Sequence, residues 1–303
     1  MEESYAKQIS RDSGINQFGT DNRAITTSAN SGNVVMGDGN TIIQGLSGSP
    51  SDAFADLEEV MGGFLDDLRE QLQAQPTLRF AAVFSDKDIR ADMVRMLAKD
   101  VEADFTLEPF YGGTLFKQGT ELVALQRDNL ELGNVAPQDI SKQLPAWSVL
   151  TSAYTFRDAN HVLAFFASDL GAQMKKQAED QLKIKILGPT FFGTRQVGLK
   201  PKKKINTPAD MAGIKLRMPG GEAWQFLGEA LGANPTPMAY AEVYTGLQSG
   251  AIDGQDNPLP NVQAVKFYEV MSQIVLTSHL IAFDVLCMNQ KTWNAMSPDK
   301  QKR

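Results

Sequence analysis

Strand and helix signals alternate along most of this chain, and that alternation limits its possible folds more than any other feature. The apolar run at 78–84 predicts a strand, and helical periodicity follows it over 89–101. Further strands are predicted at 105–110, 183–188 and 194–200. Strands that alternate with helices predict an α/β fold whose sheets are covered by helices on both faces.

A strand followed by two helices is predicted in the C-terminal part of the chain. The run "IKLRM" at 214–218 predicts the strand, and a helix from about 221 to 231 follows it and ends at Gly232. The second helix is predicted over 241–249. Trp224, on the first of these helices, is expected to be a core residue.

The first 50 residues differ in character from the rest of the chain. Short β-prone runs at 24–27, 34–36 and 41–44 are separated by glycine, asparagine and aspartate. These residues tolerate the positive φ angles of tight turns. Residues 1–50 are therefore either a small β-rich module used for assembly or a flexible segment of low complexity.

An amphipathic helix or linker is predicted over 51–75, because apolar residues recur there at intervals of three and four. Gly62 and Gly63 weaken the middle of this helix, by roughly 1 kcal/mol per glycine relative to alanine. That weakness argues against a long coiled coil. The apolar stripe must pack on its own protein or pair with another copy, so self-association is one expectation. Its members are Phe54, Leu57, Met61, Phe64, Leu68 and Leu72.

Composition argues against several classes of function. The formal net charge is −7 and the pI is about 5.0, which disfavours nucleic-acid binding because phosphate contacts need a basic face. Cys287 is the only cysteine, and His161 and His279 are the only histidines. A metal centre or a Ser-His-Asp triad therefore has little support, and we expect neither a cofactor nor enzymatic catalysis.

The N-terminal residues give no sign of export. The start "MEESYAKQISRDSG" is acidic and polar, without the basic region and apolar run of a secretory signal. No apolar run in the sequence is long enough to span a membrane. The chain as given is therefore expected to be cytoplasmic.

An arginine interrupts the predicted strand at 214–218. Strand alternation would place Ile214, Leu216 and Met218 in the core and direct Lys215 and Arg217 to water. Alternatively, Arg217 points into a cleft and holds an anion, since the planar guanidinium fork makes two parallel hydrogen bonds to a carboxylate.

Four stretches in the second half of the sequence occur together in a specific order and spacing. They read "GTRQ", "INTPADMAGIKLRMPG", "LGANPTPMAYAEVYTGLQSGAIDGQDNP" and "KFYEV". Over about 77–303 the chain resembles the substrate-binding proteins of TRAP transporters, the DctP family. The first 75 residues have no counterpart in that family, and "MSPDKQKR" ends the chain before the family's long C-terminal helices.

The resemblance implies a two-lobed α/β fold of the periplasmic binding-protein type at 76–303, with a ligand cleft between the lobes. Lobe one would take about 77–192 and 283–303, and lobe two about 193–282. The family captures small organic acids and delivers them to the membrane subunits of a TRAP permease, without covalent chemistry. That role is periplasmic, in conflict with the missing signal. An alternative is an intracellular ligand sensor or assembly protein that reuses a DctP-like domain.

The resemblance also assigns ligand-binding residues. Arg217 matches the main carboxylate clamp, and Arg195 of "GTR" matches a second cation that faces the cleft. Asn257 of "DGQDNP" matches a residue whose amide bonds to the ligand, and Tyr240 falls where the family often has an aromatic ring. Glu121 would face the cleft from lobe one and select ligands that bear a donor group, or would lie on a solvated helix face.

Overall fold

The computed structural model divides the chain into two units, residues 1–74 and residues 75–303. It describes residues 75–302, Gly62 and five strands before Gly62. Apart from the helical Gly62, the helix predicted over 51–75 lies outside the described residues. The five strands are β1 Ile9–Ser10, β2 Ile15–Thr20, β3 Arg23–Ser28, β4 Val34–Met36 and β5 Thr41–Ile43.

The first unit contains an antiparallel sheet in which each strand pairs with the next one along the chain, in the order β1-β2-β3-β4-β5. The longest pairing joins β2 to β3, from Ile15 opposite Ser28 to Thr20 opposite Arg23. The three β-prone runs noted in the sequence coincide with β3, β4 and β5.

The second unit is built on a mixed sheet of eight strands in the order β11-β10-β12-β9-β13-β8-β6-β7. This sheet and the helices between its strands confirm the α/β prediction. Its strands are β6 Thr77–Ala81, β7 Thr106–Phe110, β8 Leu132–Val135, β9 Ile184–Leu199, β10 Lys215–Met218, β11 Asn234–Pro237, β12 Gly254–Pro258 and β13 Gln273–Asn289.

The described residues of the second unit form ten α-helices, eight between these strands and two after β13. Short polar side chains cap the N-termini of two of them: Asp88 accepts a hydrogen bond from the backbone N–H of Arg90, and Ser168 accepts one from that of Gly171. The helices are α1 Ile89–Val101, α2 Glu121–Gln126, α3 Pro137–Ser141, α4 Ala159–Ala167, α5 Asp169–Leu182, α6 Glu222–Ala230, α7 Val243–Ser249, α8 Leu259–Ala264, α9 Gln290–Ala295 and α10 Pro298–Gln301.

Two long strands join the two halves of this sheet. β9 and β13 have 16 and 17 residues and pair antiparallel, from Asn289 opposite Ile184 to Gln273 opposite Leu199. The first half of the sheet, β7, β6 and β8, is added to one end of β13. The second half, β11, β10 and β12, is added to the other end of β9. The structure thus joins in one strand the two strands predicted at 183–188 and 194–200.

The middle of β9 carries a glycine that its geometry requires. Gly193 has φ of 134°, and a Cβ added there would lie 2.6 Å from the Cβ of Pro258. A side chain at this position is therefore excluded both by backbone conformation and by space. The pairing with β13 shifts register next to Ala282, the partner of Gly193, so the two strands bend where the sheet halves meet.

Each half of the sheet has its own apolar core. In the first half, Trp147, Leu125 and Ile140 are completely buried between helices and the sheet. In the second half, Leu216 and Leu199 are completely buried. Separate cores allow each half to stay packed on its own, and they leave the crossing strands β9 and β13 to hold the halves together.

Candidate functional site

A cavity of about 60 Å³ lies where the two halves of the sheet meet, beside the middle of β9 and β13. The structure brings together around it all five side chains that the sequence singles out. They are Arg217, Arg195, Asn257, Tyr240 and Glu121.

Arg217 is the third residue of β10 and is only 1% exposed, so the alternative in which it faces water is wrong. Its Nε donates to the carbonyl oxygen of Met238 at 2.8 Å, and its Nη2 donates to Oε1 of Gln118 at 2.9 Å. Both acceptors are neutral. Within residues 75–302, no carboxylate forms an ion pair with this guanidinium.

Burial lowers the pKa of Arg217 to about 10; Asp256 opposes this shift and the positive charge of Arg195 adds to it. The side chain is nevertheless cationic at neutral pH. An isolated buried charge is costly unless a partner compensates it. Arg217 therefore lacks a direct anionic partner within residues 75–302, and this vacancy beside its guanidinium is one that a carboxylate could fill.

Arg195, on β9, differs from Arg217 because it already has an anionic partner. Its Nε and Nη2 hold the two carboxylate oxygens of Asp256 at 2.6 and 2.9 Å, and its guanidinium lies 4.7 Å from the ring centre of Trp224. Nε2 of His279 lies 3.1 Å from Oδ2 of Asp256. Although burial alone would raise the pKa of Asp256, Arg195 and His279 hold it well below its usual range.

Tyr240 comes just before α7 in the chain and Asn257 lies on β12 after it, and both side chains line the cavity. The amide of Asn257 is fixed by donation to Oε1 of Gln255 at 2.6 Å. Tyr240 lies beneath Arg217, with 6.0 Å between guanidinium carbon and ring centre. The backbone N–H of Tyr240 donates to Oε1 of Gln118 at 2.8 Å, so one amide oxygen from the first half of the sheet binds two groups of the second half.

Glu121 begins α2 and is 4% exposed, which excludes the solvated helix face. Its Oε2 accepts from the backbone N–H of Gly119 at 2.7 Å. Burial, assisted by the negative charges of Asp139 and Asp284 and opposed by the backbone hydrogen bonds, raises the pKa of Glu121 to about 8. At neutral pH this carboxyl group therefore holds its proton and can donate as well as accept.

A third cavity-lining arginine has no counterpart in the sequence predictions. Arg90 is held by both oxygens of Asp88 at 2.9 Å and by Oδ2 of Asp284 at 2.8 Å. Its guanidinium also lies 4.2 Å from the ring centre of Phe84 and 4.0 Å from that of Phe192. Arg90 and Asp284 are 194 residues apart in sequence, so no local pattern links them.

Two buried amide oxygens at the cavity have no hydrogen-bond partner within the described part of the chain. They are Oδ1 of Asn134, on β8, and Oδ1 of Asn261, on α8. The amide nitrogen of Asn261 donates to Oδ2 of Asp88 at 2.9 Å, which fixes the orientation of its oxygen. Trp224, expected in the core, also lines the cavity while 6% exposed.

A protein-family model matches most of the second unit. It describes bacterial extracellular solute-binding proteins, family 7, also called DctP, and it matches residues 80–303. The chain belongs to this family. The sequence resemblance to TRAP substrate-binding proteins is therefore confirmed.

Curated relatives of this DctP-family chain are solute-binding proteins. A solute-binding protein of Roseobacter denitrificans is 32% identical over 178 residues, which cover 57% of this chain and 54% of that protein. The sialic acid-binding periplasmic protein SiaP of Vibrio cholerae is 26% identical over 230 residues, covering 75% of this chain and 71% of SiaP. The chain thus spans about half the length of the first relative and about seven tenths of the second.

Solved structures confirm the two-lobed α/β fold. A TRAP periplasmic solute-binding protein from Roseobacter denitrificans with bound 3-deoxy-D-manno-oct-2-ulosonic acid has a TM-score of 0.74 and 41% identity, covering 76% of each chain. One from Sulfitobacter with bound β-D-galacturonate has a TM-score of 0.68 and 26% identity, covering 75% of this chain and 76% of that one. These neighbours are binding proteins.

Two further features, a membrane-spanning helix and a cluster of metal-binding side chains, were sought among the described residues. Among them, no helix is both long and apolar enough to cross a membrane. No three His, Cys, Asp or Glu side chains of residues 75–302 converge in a group that could hold a metal ion. The cavity instead presents guanidinium, amide and carboxyl groups, which bind ligands by hydrogen bonds and charge.

The raised pKa of Glu121 predicts how stability changes with pH. Between its usual pKa of 4.5 and about 8, the folded state keeps a proton that the unfolded state has lost. Stability therefore falls as pH rises through this window, by up to about 1.4 kcal/mol per unit from this group, and levels off above it. Glu121→Gln, which stays neutral, should lose much less stability between pH 5 and pH 8.

Denaturant unfolding of both proteins at the two pH values measures this difference. Asp180→Asn, which removes an exposed surface carboxylate that pairs with Lys176, is the matched control and should follow the native protein. Equal losses of stability in the native protein and Glu121→Gln would show that Glu121 ionises normally in the fold.

Proposed function

We propose that the chain captures a small organic acid in this cavity for TRAP-type transmembrane transport. The observation that carries the proposal is the unpaired Arg217 guanidinium, 1% exposed and bonded only to neutral oxygens. A ligand carboxylate would supply the missing negative charge and could use the unoccupied N–H groups of the fork. The organic acids bound by the two structural neighbours support this assignment.

The roles of the other four predicted residues follow from their contacts. Arg195 faces the ligand while Asp256 neutralises it, so it contributes direction more than net charge. Asn257 and Tyr240 frame the same end of the cavity, and Glu121 offers a neutral carboxyl group from the first half of the sheet. We propose that the site acts by binding alone, without covalent catalysis.

We also propose two lobes, about 77–192 with 283–303 and about 193–282, that close on the ligand. Gln118 of the first lobe already bonds to Arg217 and Tyr240 of the second. We propose delivery to TRAP permease subunits and a periplasmic location during it, and family membership supports both. Residues 1–50 and 51–75 are proposed to form a separate segment, with self-association through the apolar stripe at 51–75.

A thermal-shift screen of the full chain tests the proposed function. A ligand that binds only the folded state stabilises it by roughly 2.7 kcal/mol at a hundred times its dissociation constant. Organic acids should therefore raise the melting temperature, whereas matched neutral alcohols and amines should not. Stabilisation by neutral sugars or amines alone, with no acid active, would contradict the proposal.

A further inference from the structure

Two hydrogen-bonded contacts beside the cavity join the halves of the sheet. In the first, Oε1 of Gln118 accepts from Nη2 of Arg217 and from the backbone N–H of Tyr240. In the second, Nδ2 of Asn261 donates to Oδ2 of Asp88 at 2.9 Å. Asp88 precedes α1 in the first half and Asn261 lies on α8 in the second, and the two residues are 173 apart in sequence.

Asp88 is a rigid acceptor, because its other contacts come from its own half of the sheet. Its Oδ1 caps α1 by accepting from the backbone N–H of Arg90 at 3.0 Å. Both carboxylate oxygens also bind the Arg90 guanidinium, at 2.9 Å each. That guanidinium lies within 4.2 Å of the ring centres of Phe84 and Phe192. The carboxylate is therefore preorganised, and little ordering is needed when Asn261 binds it.

Asn261 has its amide group oriented by this contact. The side chain is buried, with the residue 1% exposed, and it lines the cavity. A carboxylate only accepts hydrogen bonds, so the amide must turn its nitrogen to Asp88. Its Oδ1 is then left without a partner among residues 75–302. One amide thus binds the first half through its nitrogen and sets the position of an oxygen at the cavity.

The two contacts differ in their relation to an organic acid. Gln118 binds Arg217, so a ligand carboxylate would share that guanidinium with it. The contact between Asp88 and Asn261 uses none of the five side chains assigned to the acid. It is also charge-assisted and buried, which makes it stronger than a bond between neutral groups. Because protein atoms alone form it, this contact can hold the halves together with or without an acid.

We propose, building on the proposed closure of the two lobes, that Asp88 and Asn261 form a latch that favours the closed arrangement independently of the acid. Asn261 is the positioning residue of this latch, and its role is exerted through Asp88. A hydrogen bond to a charged group changes such an equilibrium by about 10-fold to 100-fold. Loss of the latch should therefore lower the ratio of closed to open molecules by this factor.

Distances between two spin labels on the full chain test the latch. Lys99→Cys on α1 and Glu229→Cys on α6 place the labels at exposed positions in opposite halves. The natural Cys287 is completely buried and should stay unlabelled. Double electron–electron resonance is recorded without any added acid, after dilution with unlabelled chain so that only distances within one molecule count. The parent protein should show mainly the distance expected for this structure.

Two substitutions at Asn261 should add a population with a longer distance. Asn261→Leu only loses the donor, so the ratio of closed to open molecules should fall about 10-fold to 100-fold. Asn261→Asp also brings a second carboxylate within hydrogen-bond distance of Asp88, so its ratio should fall about 100-fold or more. Asn294→Asp adds the same charge at an exposed position of α9 and is the matched control, which should keep the parent distances.

Unchanged distances in both folded Asn261 variants would overturn the latch, as would a parent protein that shows only the longer distance. Melting curves establish folding, and failure of both variants to fold would make Asn261 a core residue and also overturn the proposal. No acid enters these measurements, so the proposed function is judged separately. Acids that stabilise the native protein while the variants keep the parent distances would leave that function standing without the latch.

Discussion

Arg217→Ala is expected to weaken binding of the organic acid by about 30-fold to several thousand-fold. The ligand carboxylate would stay in a closed cavity without its charge partner, at a cost of roughly 2–5 kcal/mol. Arg217→Lys keeps the charge but loses the planar fork, so its loss should be smaller and still clear. Calorimetric titration of the acid found in the screen gives both values.

The empty Arg217→Ala protein should fold and should melt at or above the temperature of the native chain. The reason is that the native guanidinium is a buried cation with neutral partners only, so its removal relieves an electrostatic cost. Arg157→Ala, which removes an exposed arginine, serves as the control for a lost positive charge. Normal acid binding by Arg217→Ala would refute its role as the clamp, and failure to fold would make that role structural.

The sequence predicts the residues of the second half of the sheet well because they lie in a short stretch. Arg217, Tyr240 and Asn257 fall within about 40 residues, in motifs whose order is specific, and the structure places all three on one cavity. The strand β10 also shows why periodicity alone fails at this point. Lys215 follows the alternating pattern and is exposed, whereas Arg217, two residues later, is buried.

Contacts between distant segments are what the sequence could not reveal. The pairs Arg90–Asp284 and Arg195–Asp256 decide which arginine is free, yet their members are 194 and 61 residues apart. Without these pairs, Arg195 looks like a second free cation. The burial of Glu121 is invisible for the same reason, because the groups that enclose it come from separate elements.

The sequence also predicts two strands, 183–188 and 194–200, where the structure has the single strand β9. Pro189 and Gly193 interrupt the apolar pattern, and such residues normally end a strand. Here Pro189 lies opposite Val285 and Gly193 opposite Ala282, so the partner strand β13 keeps the chain extended through both. Tertiary pairing thus overrides the local signal at the point where the two halves of the sheet meet.

Gln118→Glu is expected to reduce acid binding by about 100-fold or more, although it only exchanges the side-chain NH2 group for an oxygen. Oε1 of Gln118 already lies 2.9 Å from Nη2 of Arg217, so the new carboxylate would form an ion pair with the clamp. A ligand would then have to break a buried ion pair, which costs roughly 3–5 kcal/mol. Calorimetric titration beside the native protein measures the loss.

Gln118→Met, which has similar length but neither charge nor a strong acceptor, is the matched control and should bind the acid far better than Gln118→Glu. The empty Gln118→Glu protein should also melt above the native chain, because its new ion pair compensates the buried guanidinium. Reduced binding with a raised melting temperature is the signature of internal neutralisation, which steric blockage alone would not produce. If Gln118→Glu binds the acid as the native protein does, the vacancy at Arg217 is not what recruits the ligand.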